Sequence, residues 1–170
     1  MFVFLPKGYE GHYSIPENIS KIIGGAFNGC EGLTSVTIPN SVTSIGDGAF
    51  SNCSGITHPI IVNNMFVFLP EGYEGHYSIP EKISKIIGGA FYRCSGLTSV
   101  TIPNSVTSIG AAVFWECKSL ISISIPDSVK SMGKTAFSEC SSLQSIIIPP
   151  GTKQKFASLL LDNKDKLVEQ

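Results

Sequence analysis

The sequence predicts an α/β solenoid: a stack of short coils, each one strand and one turn, closed at its C-terminal end by a helix. Three observations lead there. Ile-Pro pairs at Ile15, Ile38, Ile79, Ile102 and Ile125 step by 23 residues except across the middle. Cysteines follow the same rule, with Cys30 to Cys53, Cys94 to Cys117 and Cys117 to Cys140 each 23 apart. Residues 1–46 also recur at 65–110 with five differences: Lys7/Glu71, Asn18/Lys82, Asn28/Tyr92, Gly29/Arg93 and Glu31/Ser95. Self-similarity at a fixed period marks units that cannot bury their own apolar edge and must stack.

One unit, Leu33–Gly55, reads "LTSVTIPNSVTSIGDGAFSNCSG". Its apolar positions are Leu33, Val36, Ile38, Val42, Ile45, Ala49, Phe50 and Cys53. The spacing of two within "VTI" fits a strand with alternating faces. Proline then ends it, having no amide to donate. The "GAF..C" arm is short, follows a glycine, and reads as a turn or single helical turn. The pattern returns as Leu97, Val100, Ile102, Val106, Ile109, Val113, Phe114 and Cys117. It returns again as Leu120, Ile123, Ile125, Val129, Met132, Ala136, Phe137 and Cys140.

The coils can be taken in order. Residues 1–9 are a partial coil, residues 10–149 the repeats, and residues 150–170 a C-terminal cap. Past Cys53 the frame makes "ITHPIIV" a strand with Ile56, Pro59 and Ile61 inward, and maps Val42 to Met65 and Ile45 to Phe68. The next strand, "EGHYSIP", begins early, at Glu74, with Tyr77 and Ile79 inward. The coil at 56–73 is therefore 18 residues long, its "GAF..C" arm replaced by the turn "PEGYEG". The frame runs through the junction, which favours one domain over two 64-residue ones. Met1 occupies the Met65 position, mid-coil, so either the chain is a fragment or Met1–Leu5 improvises a cap. At the other end Thr152 can N-cap a helix whose Phe156, Leu159 and Leu160 share one face.

The motif L-x-x-V-x-I-P-x-S-V-x-x-I-G-x-x-A-F-x-x-C resembles the BspA-like (Treponema-type) leucine-rich repeat, over about residues 10 to 149. The resemblance implies a leucine-rich-repeat solenoid with a parallel β-sheet of about seven short strands on its concave side and turns on its convex side. It also implies secreted or surface-attached bacterial proteins, some of them adhesins.

Composition narrows the function. Charged residues make up 15% and the net charge is −1, so no basic patch suits a phosphate backbone. Apolar runs are too short to span a membrane, and "MFVFLP" lacks the basic start of a signal peptide. There is no phosphate-binding loop, no nucleophile elbow and no paired acids placed for glycoside chemistry. No catalytic residue, metal or cofactor is expected.

The expected function is a non-enzymatic interaction or adhesion module, with a structural spacer as the alternative. The partner would be a host or bacterial surface protein or an extracellular-matrix protein. The candidate binding residues are the outward strand positions: His12, Ser35, Thr37, His58, His76, Ser99, Thr101, Ser122 and Ser124. His58 and His76 are expected on adjacent strands about 5 Å apart, either as a metal or pH-sensitive pair or as an exposed polar rung. Tyr92 and Trp115 follow the arm phenylalanines and are either exposed contact aromatics or local packing. The five cysteines share one repeat position, which reads as a ladder of buried thiols, with disulfides between coils the alternative.

Overall fold

The computed structural model describes residues 5–170. The first two coils carry β1 (Gly11–Ser14), β2 (Lys21–Ile22), β3 (Leu33–Thr37) and β4 (Ser44–Ile45). Then come β5 (Ile60–Val62), β6 (Met65–Phe68), β7 (Glu74–Ser78), β8 (Lys85–Ile86), β9 (Gly96–Thr101) and β10 (Ser108–Ile109). The last coils carry β11 (Ser122–Ser124), β12 (Ser131–Met132) and β13 (Ser145–Ile148). The chain closes with α1 (Lys153–Leu159), a 3-10 segment at Leu161–Lys166 and β14 (Leu167–Glu169).

Two rows of strands result. The longer strands form the concave ladder in three parallel segments, β1-β3, β7-β9 and β11-β13-β14. The shorter strands form a second row, β2-β4 and β12-β10-β8-β6-β5, parallel except for the β5-β6 pair. Alternation, reset by the register shift at Thr98, sets the faces: in β9 Leu97 and Val100 are buried, whereas Thr98 and Thr101 are exposed.

The repeated phenylalanine builds a ring column inside the coils. Phe27 stacks on Phe50 at 4.7 Å, Phe91 on Phe114 at 4.9 Å and Phe114 on Phe137 at 5.2 Å. Outside each ring the arm passes through the left-handed region. The slot before Ala-Phe holds Gly25, Gly48 and Gly89, but Thr135 in the last coil, at φ 59°. A β-branched residue there stores about 1–3 kcal/mol of strain.

The middle departs from the expected frame. "ITHPIIV" is not a strand of the concave ladder. Ile56 is buried at the Leu33 position, but the chain then leaves the ladder, and only Ile60–Val62 is extended. Pro59 removes an amide from the would-be strand. β5 instead turns back antiparallel onto β6 through a two-residue loop, Asn63–Asn64, with Asn63 at φ 53°. Asparagine tolerates that conformation better than other side chains.

The mapping of β6 also differs. Phe66 pairs with Ile86, which holds in its coil the repeat position of Ile22, Ile45 and Ile109. The counterpart of Ile45 is therefore Phe66, not Phe68. Nor is the arm simply missing from this coil. The Leu69 amide donates to Ala90 O at 2.7 Å, as Phe27 does to Ala49 O and Phe91 to Val113 O. Leu69 thus fills the backbone rung that phenylalanine fills elsewhere, while Phe66 supplies the ring, stacked on Phe91 at 4.9 Å. The short coil is absent only at the convex corner, where Gly48 donates directly to Gly88 O and Asp47 Oδ1 accepts from the Gly88 amide.

β6 is buried along its whole length and separates two apolar clusters. Met65, Val67 and Phe68 pack with the coils before it, and Phe66 and Leu69 with those after it. The expected cap at Met1–Leu5 lies, except for Leu5, outside the described residues. Leu5 is buried and donates to Ala26 O, the counterpart of Leu69.

At the other end α1 closes the stack with Phe156 and Leu160, while Leu159 is only half-buried. Thr152 stands at the N-cap, but its hydroxyl donates back to Pro149 O. The Glu169 carboxylate accepts from the Lys153 amide instead. β14 adds the seventh strand to the concave ladder, among the described residues, in place of the one expected from "ITHPIIV".

Candidate functional site: the concave face and its interruption

The ladder places most of the predicted residues on one face. Ser35 and Thr37 project from β3, Ser99 and Thr101 from β9, and Ser122 and Ser124 from β11, all exposed or half-exposed. Strand pairing puts Ser35 beside His12, Ser99 beside His76, and Ser122 beside Ser145. The hydroxyls are therefore held by a hydrogen-bonded backbone.

Each ladder histidine sits among three hydroxyls. His12 Nδ1 bonds Ser35 Oγ at 2.7 Å, and its Nε2 meets Ser14 Oγ at 3.0 Å and Thr37 Oγ1 at 3.1 Å. His76 repeats this with Ser99 at 2.7 Å, Ser78 at 3.0 Å and Thr101 at 3.2 Å. Ser35–His12 and Ser99–His76 have nucleophile–base distances. Neither imidazole has a carboxylate to orient it, and the second ring nitrogen is shared between two more hydroxyls. These are satisfied polar rungs on an open face.

His58 is not on a rung. It lies in the irregular segment before Pro59 and bonds only Thr57 Oγ1, at 3.0 Å. The expected His58–His76 pair on adjacent strands is not formed, because the strand that would carry His58 does not form. Among the described residues no group of three or more His, Cys, Asp or Glu could hold a metal ion. Tyr92 and Trp115 are half-buried rather than free anchors, and the Trp115 indole N–H donates to Glu116 Oε1 at 3.3 Å.

The cysteines form the expected ladder. All five are buried and unbridged. Cys53, Cys117 and Cys140 donate to the carbonyls of Phe27, Phe91 and Phe114 at 3.0, 3.1 and 2.9 Å. Cys30 and Cys94 reach Leu5 O and Leu69 O instead, at 3.6 Å. Burial pushes the Cys53 and Cys94 thiols up to about 12 and Cys140 to about 11, and raises Cys30 and Cys117 as well. Protonated, buried thiols are poor nucleophiles and poor metal ligands.

What sequence reasoning missed is a cleft where the ladder is interrupted. It measures about 530 Å³ and lies between residues 54–59 and the turn at 70–74. Its walls include Ile56, Pro59, Pro70 and Tyr73, with Glu71 and Glu74 at the turn.

Residues 11–73 and 75–167 match the BspA type leucine rich repeat region, in six copies. The chain belongs to that family. Solved bacterial leucine-rich-repeat structures share the fold. A leucine-rich repeat protein from Eubacterium ventriosum aligns with a TM-score of 0.57 at 18% identity, over 82% of this chain and 54% of that one. The pneumococcal vaccine antigen PcpA aligns with a TM-score of 0.51 at 17% identity, over 81% and 50%. The Treponema pallidum leucine rich repeat protein is 31% identical over 86% and 61%, with a TM-score of 0.47. This BspA-type chain thus spans about half to three fifths of the length of those structures. No curated protein matches it. No helix among the described residues is long and apolar enough to cross a membrane.

Proposed function

We propose that this BspA-type solenoid is a non-enzymatic interaction module of a secreted or cell-surface bacterial protein, binding a host or bacterial surface protein or an extracellular-matrix protein. The observation that carries the reading is the hydroxyl-rich concave face, its Ser, Thr and His side chains fixed on a parallel ladder. A face already ordered loses little freedom on binding. Solenoids present such extended surfaces to macromolecules. Family membership supports the same reading. Catalysis is disfavoured because the two Ser–His contacts sit on open strand faces without an orienting acid, and the thiols are buried.

The test is adhesion of protein-coated beads to immobilised extracellular-matrix proteins and to fixed epithelial and bacterial cells. Changing Ser99, Thr101, Ser122 and Ser124 together to Lys is expected to cut capture at least about tenfold, a loss of about 1.4 kcal/mol. The four side chains are exposed or half-exposed, so the coil itself should survive. Undiminished capture would leave the spacer role as the better reading.

A further inference from the structure

β7 is an edge strand in the middle of the stack. Among the described residues no backbone hydrogen bond joins 54–59 to 72–78. The Ile79 amide donates to Thr101 O on the far side, and alternate residues of a parallel strand face the same neighbour. Counted back from Ile79, Ser78 and His76 therefore turn their N–H and C=O toward the interruption, up to the register shift at Gly75. One of these groups is already taken, since the Tyr73 hydroxyl donates to His76 O at 2.8 Å. The His76 N–H lies on the same side of the strand, away from β9. Open backbone groups on a strand edge are a template for another strand.

The cleft beside that edge has a charge of one sign. Glu71 and Glu74 line it, and no Lys or Arg does. Glu71 Oε1 is buried without a hydrogen-bond partner. Burial also raises the Glu71 pKa, while Arg93 and then the Asn52 backbone amide, which reaches the carboxylate, act in the opposite direction. A buried carboxylate oxygen without a donor is a destabilising feature that an incoming cation would relieve. Ile56, Pro59 and Tyr73 give a ligand an apolar wall.

We propose that this cleft binds an extended peptide segment of another protein, paired to the free edge of β7, with a lysine or arginine placed on Glu71. The site uses the strand's edge and not its hydroxyl face, so it does not rest on the reading above. The chain contains its own comparison. β1 has the same sequence as β7, and Tyr9 likewise donates to His12 O, at 2.7 Å. The turn before β7 carries Glu71, and the turn before β1 carries Lys7, which would repel the same peptide.

The probe is a short end-capped, fluorescein-labelled peptide alternating lysine and valine, titrated into the full chain and read by anisotropy. Saturable one-to-one binding is expected. Glu71→Lys should weaken it about tenfold or more, the range of a close charge pair, and so should N-methylation of alternate peptide amides, which blocks strand pairing. In the first copy Lys7 packs over Gly29, where the second has Arg93, so Glu71→Gln, which removes the charge without setting a lysine against Arg93, is the second variant and should weaken binding as well. A second readout needs no variant: peptide should slow hydrogen exchange at the His76 amide. Absence of saturable binding overturns the proposal. So does equal binding by Glu71→Lys, by the methylated peptide, or without His76 protection.

Discussion

Replacing Phe91 with alanine is expected to lower the unfolding free energy by about 4 kcal/mol, the usual range for a buried phenylalanine being about 3–5 kcal/mol. Phe91 is fully buried. It stacks between Phe66 and Phe114, both at 4.9 Å, and meets Tyr77 edge-on at 6.0 Å. Truncation would open a void with rigid neighbours on both sides. The coils cannot close it, because backbone hydrogen bonds above and below hold their spacing. Domains are stable by only about 5–15 kcal/mol, so the variant should stand near the edge of unfolding. Urea denaturation would measure the loss. A value below about 1.5 kcal/mol would mean that the ring column carries little of the fold.

Gly110→Ala is expected to cost about 3 kcal/mol or more, which is severe for one added methyl group. A Cβ built at Gly110 falls 2.2 Å from Gly88 N and 2.6 Å from Gly88 Cα. Both are backbone atoms, so no side chain can move aside. The same approach recurs at Gly46, whose Cβ would lie 2.3 Å from Gly24 N. Relief would require the coils to part, yet the Gly110 amide donates to Ile86 O at 2.9 Å. Conformational entropy alone predicts that the change stabilises the chain by up to about 1 kcal/mol, so the sign of the measured effect separates the two explanations. A thermal midpoint equal to or above that of the parent would exclude the close packing of this corner.

The repeating coils were legible because their physics is periodic. The "VTI" alternation, the proline that stops the strand and the phenylalanine three residues before each cysteine all return in register, and each finds its structural place. The interruption was less legible, for two reasons. Met65–Leu69 is wholly apolar, so no alternation fixes which residue faces which side, and a shift of two residues leaves the pattern intact. In fact all five residues are buried, Met65, Val67 and Phe68 in one cluster and Phe66 and Leu69 in the other. The other reason is "ITHPI", whose apolar residues fit a strand in spacing while Pro59 spoils the ladder. That error placed His58 on the concave face, where the structure does not have it. The cleft could not be read from residue types at all. Its walls come from segments some fifteen residues apart in sequence, brought together only when the missing strand leaves room.

Whether the two apolar clusters act as one solenoid can be settled by urea unfolding followed at both ends of β6. Trp115 fluorescence reports the coils after it. Labelling of the Cys53 thiol, mapped by mass spectrometry, reports the coils before it. Because β6 buries residues into both clusters, the two signals should share one midpoint and one slope. Cys53 labelling at a urea concentration where Trp115 remains native, or the reverse, would show two independent domains and contradict a single stack.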